Sequence, residues 1–125
     1  VSSFHHILRE RPHYLGGHED FASFLRWKLD PARPYQYHLD TSIELQTDYL
    51  IDLRGEVIVD YIGRYESLEA DFNRACQRIG IRPHRRQARD RRADYRSYYT
   101  DDTAELVLET FRKDVELLGY RFDPE

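Results

Sequence analysis

The clearest hydrophobic pattern in the chain is an apolar run, residues 57–62, that passes directly into a helical period. The run, VIVDYI, is dominated by β-branched and aromatic side chains and predicts a buried strand. After Gly63, apolar residues recur every three or four positions over residues 66–79, which predicts an amphipathic helix that ends at Gly80. A strand followed by a helix is the unit of α/β proteins, whose ligands collect at the carboxyl ends of strands. Function is therefore expected around Tyr65.

A second strand is predicted beside the first. Residues 49–52 are expected to pair with residues 57–62 as a β-hairpin, because a turn-forming segment separates the two. Residues 35–48 show no clear period and are predicted to form an ordered loop. The expected fold class is thus α/β, mostly helical, with a short β-hairpin or two to three strands.

Both ends of the chain carry helical periods. Residues 4–10 and 19–29 predict amphipathic helices, and a short helical turn is predicted at residues 94–99. Thr100 is expected to cap a long carboxyl-terminal helix that ends at Gly119. The buried stripe of this helix is predicted to consist of Ala104, Val107, Leu108, Phe111, Val115 and Leu118. No repeat or second domain is indicated.

The amino-acid composition limits the classes of protein to which the chain can belong. The chain has 125 residues, of which 40% are hydrophobic and 34% are charged, as in a folded globular domain. The one cysteine, Cys76, rules out an intrachain disulfide and falls on the apolar face of a predicted helix, where a buried thiol is expected. No apolar run is long enough to span a membrane. The sequence also has no metal-binding spacing and no Gly-rich phosphate loop.

Arginines are concentrated in one segment after the central helix: Arg82, Arg85, Arg86, Arg89, Arg91, Arg92 and Arg96. Guanidinium groups bind phosphate and sulfate oxygens in a bidentate manner, which makes this segment a candidate oxyanion site. The alternative is a solvated basic loop, which the intervening Asp90 and Asp94 favour. Tyr65 also has two interpretations, a ring that stacks on a ligand base or a tyrosine of the core or its rim. Glu66 would interact with the positive end of its helix.

Residues 57–68, VIVDYIGRYESL, resemble the strand–helix segment of sulfotransferases that use 3′-phosphoadenosine 5′-phosphosulfate (PAPS). The similarity is greatest to the Golgi carbohydrate sulfotransferase-like branch and its bacterial relatives. Three further stretches are similar to segments of the same family, in the same order: residues 20–25, residues 46–50, and residues 95–101 together with 111–120. Leu45 stands where the family has a proline.

The resemblance implies a P-loop-like sulfotransferase fold, of which residues 1–125 form the carboxyl-terminal part of a single domain. The opening, VSSFHH, is similar to the end of the family's 3′-phosphate motif, and Ser2 matches the serine of that motif. The arginine of the motif and the loop that holds the 5′-phosphosulfate would precede Val1. This chain alone is therefore expected not to transfer sulfate.

The resemblance also implies the ligands. PAPS would be the co-substrate, without a metal, and the acceptor would be a hydroxyl group of a carbohydrate or small alcohol. Ser2 would contact the 3′-phosphate and Tyr65 would lie beside adenine, on the same face of the fold. Further 3′-phosphate contacts are assigned to candidates Arg85, Arg86, Arg91 and Arg92. No catalytic base is assigned, since His5 and His6 are expected to be helix-surface residues.

Two other functions stay open at this point. A truncated, non-catalytic sulfotransferase-like domain would act as a binding or interaction module, and a lysine-containing loop upstream of Val1 would distinguish the enzyme from it. A small nucleic-acid-binding domain would use the arginine segment, but the net charge of −4 and the lack of an aromatic and basic stripe argue against it. A bacterial protein would be cytoplasmic, and a eukaryotic one would lie in the Golgi lumen.

Overall fold

The computed structural model describes residues 1–15, 17–18, 20–84 and 94–122. Within these ranges the chain forms six α-helices: α1 (Ser2–Glu10), α2 (Phe21–Lys28), α3 (Tyr37–Asp40), α4 (Leu68–Ile79), α5 (Asp101–Thr110) and α6 (Arg112–Leu118). Short 3₁₀ turns lie between them, at Pro12–Leu15, Thr41–Ile43, Thr47–Tyr49, Tyr65–Ser67 and Tyr95–Tyr98. The residues group into two compact units, a first unit of Val1–Tyr49 with Asp94–Glu125 and a central unit of Leu50–Ala93. The expectation of a single domain stays a prediction.

The expectation of an α/β fold is wrong. The described ranges contain no strand or sheet, and the predicted hairpin is reduced to one antiparallel bridge between Ile51 and Val57. The turn of the hairpin does form, because the Asp52 carboxylate accepts hydrogen bonds from the backbone N–H groups of Arg54 at 2.8 Å and Glu56 at 3.0 Å. The local turn chemistry was therefore predictable, but the strands that should follow from it were not formed.

The apolar run at residues 57–62 is not buried: three of its apolar side chains are exposed, and Val59 and Tyr61 are half-buried. The exposed fraction is 46% for Val57, 64% for Ile58 and 37% for Ile62. A segment rich in β-branched residues becomes a strand only where a neighbouring strand takes up its backbone hydrogen bonds and another layer covers one face. Within the described part of the central unit, the single bridge supplies such pairing for one residue of the run.

The core of the first unit is formed by the apolar faces of α1 and α2. Its buried side chains are Phe4, Ile7, Phe21, Phe24, Leu25 and Leu29. The Phe4 ring lies 5.2 Å from the Phe24 ring and meets the Phe21 ring edge-on at 5.7 Å, measured between centroids. The three- and four-residue spacing of these side chains confirms the two predicted helices.

The carboxyl-terminal helix begins and ends as predicted but is interrupted. Thr100 caps α5 in a reciprocal pair with Thr103, and Gly119 ends α6 in the left-handed conformation at φ 66°. Between α5 and α6, Phe111 leaves the helical conformation at ψ 26°. The Thr110 hydroxyl donates to the Leu106 carbonyl at 2.7 Å, and such back-bonding bends helices.

The predicted buried stripe of this helix is correct only in part. Leu118 is buried, and Val107, Phe111 and Val115 are half-buried. Leu108 is exposed, so its assignment to the stripe is wrong. Leu108 precedes the break at Phe111 and directly follows Val107, so it is rotated by about 100° from Val107 around α5 and lies outside the buried stripe.

The predicted loop at residues 35–48 is also wrong in part, because α3 and two 3₁₀ turns lie within it or at its end. Arg33 donates to the fully buried Asp40 at 2.6 Å, and the Asp40 carboxylate also accepts from the Gln36 N–H at 2.7 Å. Arg33 further donates to the carbonyls of Trp27 and Lys28, the last residues of α2. One buried ion pair thus joins the end of α2 to the start of α3.

The central unit is built on α4. Cys76 is buried on this helix, and Gly80 ends the helix at φ 75°, so both predictions are confirmed. Ile79 is exposed, although the period placed it on the buried face. The helix itself is preceded by the 3₁₀ turn Tyr65–Ser67 rather than beginning at residue 66.

Candidate functional site

Tyr65 begins the 3₁₀ turn that leads into α4, and its side chain is 80% exposed. This exposure excludes the interpretation of Tyr65 as a core tyrosine of the central unit. The ring faces remain accessible for stacking against a flat ligand. Among the sequence-predicted site residues, Tyr65 is thus placed where an aromatic contact to a ligand is physically feasible.

The backbone around Tyr65 is held by the carboxylate of Asp71, one turn into α4. Asp71 accepts hydrogen bonds from the Arg64 N–H at 2.8 Å, the Ser67 hydroxyl at 2.7 Å and the Tyr61 hydroxyl at 2.9 Å. These three bonds, in that order of effect, lower the pKa of Asp71 to about 2. The turn that carries Tyr65 is therefore fixed on both sides by one ionised side chain.

Gly63 contributes to the same arrangement through its size. A Cβ atom at Gly63 would lie 3.3 Å from the Cβ of Asp71 and 3.7 Å from the Tyr61 ring. The chain therefore passes close to α4 at this point, which a larger residue would oppose. The sequence interpretation did not single out Asp71. The available signal was an acidic residue at helical spacing from Leu68 and Ala75, on the apolar face of a predicted helix.

Ser2 is the first residue of α1 and is exposed. No side chain caps this helix by accepting a hydrogen bond from the N–H groups of its first turn. His5 and His6 are exposed on the same helix, and the His5 ring meets the Tyr98 ring edge-on at 5.1 Å. These positions give no reason to assign either histidine a role in proton transfer.

A buried lysine, Lys28, contacts the first turn of α1 in the first unit. Lys28 of α2 donates to the Ser3 hydroxyl at 3.1 Å and to the Ser42 hydroxyl at 2.9 Å. Burial lowers the pKa of Lys28, although the charge of Asp40 acts in the opposite direction. The signal for Lys28 in the sequence was its position four residues after Phe24, on the apolar stripe of α2. Lys28 thus connects the start of α1 to the turn Thr41–Ile43.

Asp114 joins α6 to residues 46–47 by hydrogen bonds. Its carboxylate is buried and accepts from the Gln46 N–H at 3.0 Å, the Thr47 N–H at 2.8 Å and the Thr47 hydroxyl at 2.7 Å. Burial by itself raises the pKa of Asp114, but these bonds outweigh it and hold the pKa below its usual range. Asp114 therefore has a structural role that its place in α6 did not reveal.

The sequence-predicted site residues fall into three groups. Ser2 belongs to the first unit and Tyr65 to the central unit. The four candidate arginines, Arg85, Arg86, Arg91 and Arg92, lie outside the described residues. The predicted meeting of these side chains on one face stays a prediction.

Two further findings concern the described ranges alone. In them, no group of three or more His, Cys, Asp and Glu side chains is arranged to hold a metal ion. No helix in the same ranges is long and apolar enough to cross a membrane.

A comparison of the chain with protein-family models, with curated proteins and with solved structures finds no match.

Proposed function

We propose that this chain forms the carboxyl-terminal part of a PAPS-dependent sulfotransferase domain. The observation that carries the proposal is the occurrence, in family order, of four stretches that resemble segments of these enzymes. A contact between two of the stretches supports it, because Asp114 in the last stretch accepts hydrogen bonds from Gln46 and Thr47 in the second. Two of the four similar stretches are thus joined by direct hydrogen bonds.

In this proposal Tyr65 stacks on the adenine ring of PAPS. The exposed ring and the fixed backbone of its turn support this role, since a side chain on ordered backbone loses less entropy on binding than one on a mobile segment. Stacking of one base on an aromatic side chain contributes about 1–3 kcal/mol.

Ser2 binds the 3′-phosphate in the same proposal. Its hydroxyl and the N–H groups of the first turn of α1 are hydrogen-bond donors at the positive end of a helix, where anions are stabilised. The candidate arginines, Arg85, Arg86, Arg91 and Arg92, would add bidentate charged contacts. A single hydrogen bond to a charged group contributes about 1.5–3 kcal/mol.

The reaction transfers a sulfuryl group in line, as phosphoryl transfer does. The acceptor oxygen forms a bond to sulfur while the bond from sulfur to the 5′-phosphate oxygen breaks, and the acceptor proton passes to a base. The products are a sulfate ester and adenosine 3′,5′-bisphosphate. Negative charge develops on the leaving phosphate oxygen, so cationic groups around both phosphates lower the barrier.

Calorimetric titration of adenosine 3′,5′-bisphosphate into the full-length protein tests this proposal. We expect Tyr65→Ala to weaken binding about tenfold, which corresponds to about 1.4 kcal/mol. The matched control is Ile79→Ala, which truncates an exposed apolar side chain of the central unit and should leave the affinity unchanged. Ser2→Ala should weaken the bisphosphate but not adenosine 5′-monophosphate, which lacks the 3′-phosphate. No binding to the unmodified protein would refute the proposal.

A further inference from the structure

Three exposed tyrosines and one carboxylate form a cluster in the first unit. Glu44 accepts hydrogen bonds from the hydroxyl groups of both Tyr35 and Tyr49. The exposed fractions are 55% for Tyr35, 76% for Tyr37 and 70% for Tyr49. The hydrogen bond to Glu44 is the main cause of the raised pKa of Tyr49, and Tyr37, two residues after Tyr35 in the sequence, adds a smaller electrostatic effect. This tyrosine cluster, made of Tyr35, Tyr37, Glu44 and Tyr49, is unused by the proposed function.

Buried carboxylates anchor the chain on both sides of the tyrosine cluster. Tyr35 and Tyr37 flank Gln36, whose N–H is bound by Asp40, and Asp40 is paired with Arg33. Tyr49 ends the turn that begins at Thr47, which Asp114 holds by two hydrogen bonds. The rings are therefore attached to fixed backbone, although the side chains themselves face solvent. Such preorganisation lowers the entropy that a ligand must overcome.

Packing does not account for this arrangement. None of the three rings is part of the core of the first unit or among the residues packed against it. Exposed tyrosines held in place are characteristic of binding surfaces, because a tyrosine offers a large rigid face and a polar tip at a small cost in side-chain entropy. The Glu44 carboxylate keeps unused lone pairs after accepting two hydroxyl groups, and each phenol oxygen can still accept a hydrogen bond.

A pyranose ring matches these groups in chemistry. Its C–H faces pack against aromatic rings, and its hydroxyl groups donate to a carboxylate and to phenol oxygens. The negative charge of the cluster narrows the choice of ligand further. Glu44 is ionised because its hydrogen bonds from Tyr35 and Tyr49 lower its pKa, and Asp48 adds a second negative charge next to Tyr49. Sulfated and uronic sugars, like nucleotides, would be repelled.

We propose that Tyr35, Tyr37, Glu44 and Tyr49 bind a neutral carbohydrate, which serves as the acceptor of the sulfuryl group. The acceptor role rests on the proposed function, whereas the binding of the sugar does not. Neutral hydroxyl groups donate to Glu44, and the tyrosine faces receive the apolar side of one or two sugar rings. The proposal thereby selects carbohydrates over small alcohols, which lack an apolar face large enough to cover a tyrosine.

Saturation-transfer NMR tests the site without any nucleotide. The probes are neutral hexasaccharides of glucose, mannose, galactose and N-acetylglucosamine, with a heparin-derived hexasaccharide as the anionic probe. We expect at least one neutral probe to bind with a Kd on the order of 1 mM. Tyr49→Ala and Tyr35→Ala should each weaken it about tenfold. Tyr95→Ala, at an exposed tyrosine of the same unit outside the cluster, should have no effect.

Two variants separate the contributions of ring and charge. Tyr49→Phe keeps the ring face and removes the bond to Glu44, so it should weaken binding less than Tyr49→Ala. Glu44→Gln should weaken the neutral probe and reduce the discrimination against the heparin-derived probe. Since the tyrosines are exposed and Glu44 is only half-buried, circular dichroism spectra of all variants should match that of the unmodified protein.

The outcomes distinguish this inference from the proposed function. Absence of binding by every neutral probe, preferential binding of the heparin-derived probe, or equal losses in Tyr49→Ala and Tyr95→Ala would overturn the inference. If a neutral sugar binds and adenosine 3′,5′-bisphosphate does not, the carbohydrate site at the tyrosine cluster stands and the proposed sulfotransferase function is refuted. If the nucleotide binds and the enzyme transfers sulfate, Tyr49→Ala should raise KM for the carbohydrate acceptor and not KM for PAPS.

Discussion

Asp40, Asp71 and Asp114 each bring a carboxylate into the interior of their unit, and each accepts hydrogen bonds from backbone N–H groups. A buried charge is costly unless it is paired or fully hydrogen-bonded, and each of these three is. In every case the bonded backbone lies in a connecting segment outside the long helices. The aspartates therefore fix the segments that carry the exposed tyrosines, which is where binding is proposed.

The stability contributed by Asp71 should depend on pH in a specific direction. Its folded-state pKa of about 2 lies below the ordinary value of 3.8, so the stabilisation is complete above the ordinary value and is lost as the pH falls toward 2. We therefore expect Asp71→Asn to be destabilised relative to the unmodified protein at about pH 6, with the difference shrinking below about pH 4. Urea unfolding at a series of pH values measures this difference.

The exposed Glu69, on the same helix, provides the control for this prediction. Glu69→Gln should show a small difference from the unmodified protein at every pH, because Glu69 is solvated in the folded state. An Asp71→Asn difference that stays constant down to about pH 2 would contradict the assigned role of the carboxylate.

At the scale of elements, local chemistry was predictable and distant chemistry was not. Thr100, Gly80 and Gly119 each act within one turn of the helix end that they define, so the sequence pattern reveals them. The prediction of a strand at residues 57–62 failed because strand formation depends on partners elsewhere in the chain. The same reason explains why the tyrosine cluster was missed in a segment that showed no period.

The contact between α6 and the segment before Tyr49 should be important for stability. Asp114→Ala leaves the N–H groups of Gln46 and Thr47 and the Thr47 hydroxyl without their acceptor, 67 residues away from Thr47 in sequence. We expect a loss of about 3 kcal/mol in the free energy of unfolding. Chemical denaturation followed by circular dichroism measures it.

Glu116, which is exposed on α6, is the matched control for Asp114. Glu116→Ala removes a carboxylate from the same helix and should change the free energy of unfolding by no more than about 0.5 kcal/mol. Equal effects of the two substitutions would show that Asp114 acts only through the charge of α6 and not through its bonds to residues 46 and 47.

At the scale of the whole molecule, the two units differ in their cores. The first unit buries six apolar side chains of α1, α2 and the residue after α2, and it also buries Leu118 of α6. In the described part of the central unit, the one fully buried apolar side chain is Cys76. Since apolar burial is the dominant stabilising term in folding, the central unit should open at a smaller cost in free energy.

Native-state hydrogen exchange should detect the difference between the units. We expect the interior amides of α4 to exchange faster than those of α2 by at least about tenfold, which corresponds to about 1.4 kcal/mol. Adenosine 3′,5′-bisphosphate at saturating concentration should slow exchange in α4, because a ligand stabilises the state that it binds. Equal protection of α2 and α4 without ligand would contradict the prediction.

Cys76 makes the central unit chemically distinguishable from the rest of the chain. It is the only thiol in the sequence, and it is buried on α4. A thiol reacts with disulfide reagents and alkylating agents only when the thiolate reaches solvent, so modification of this protein requires α4 to open. Oxidising conditions would therefore leave the closed protein untouched and trap the open one, in which a bulky adduct at Cys76 prevents α4 from packing again. Oxidants would thus modify first the molecules that spend the most time open, and a ligand that holds α4 closed would protect them.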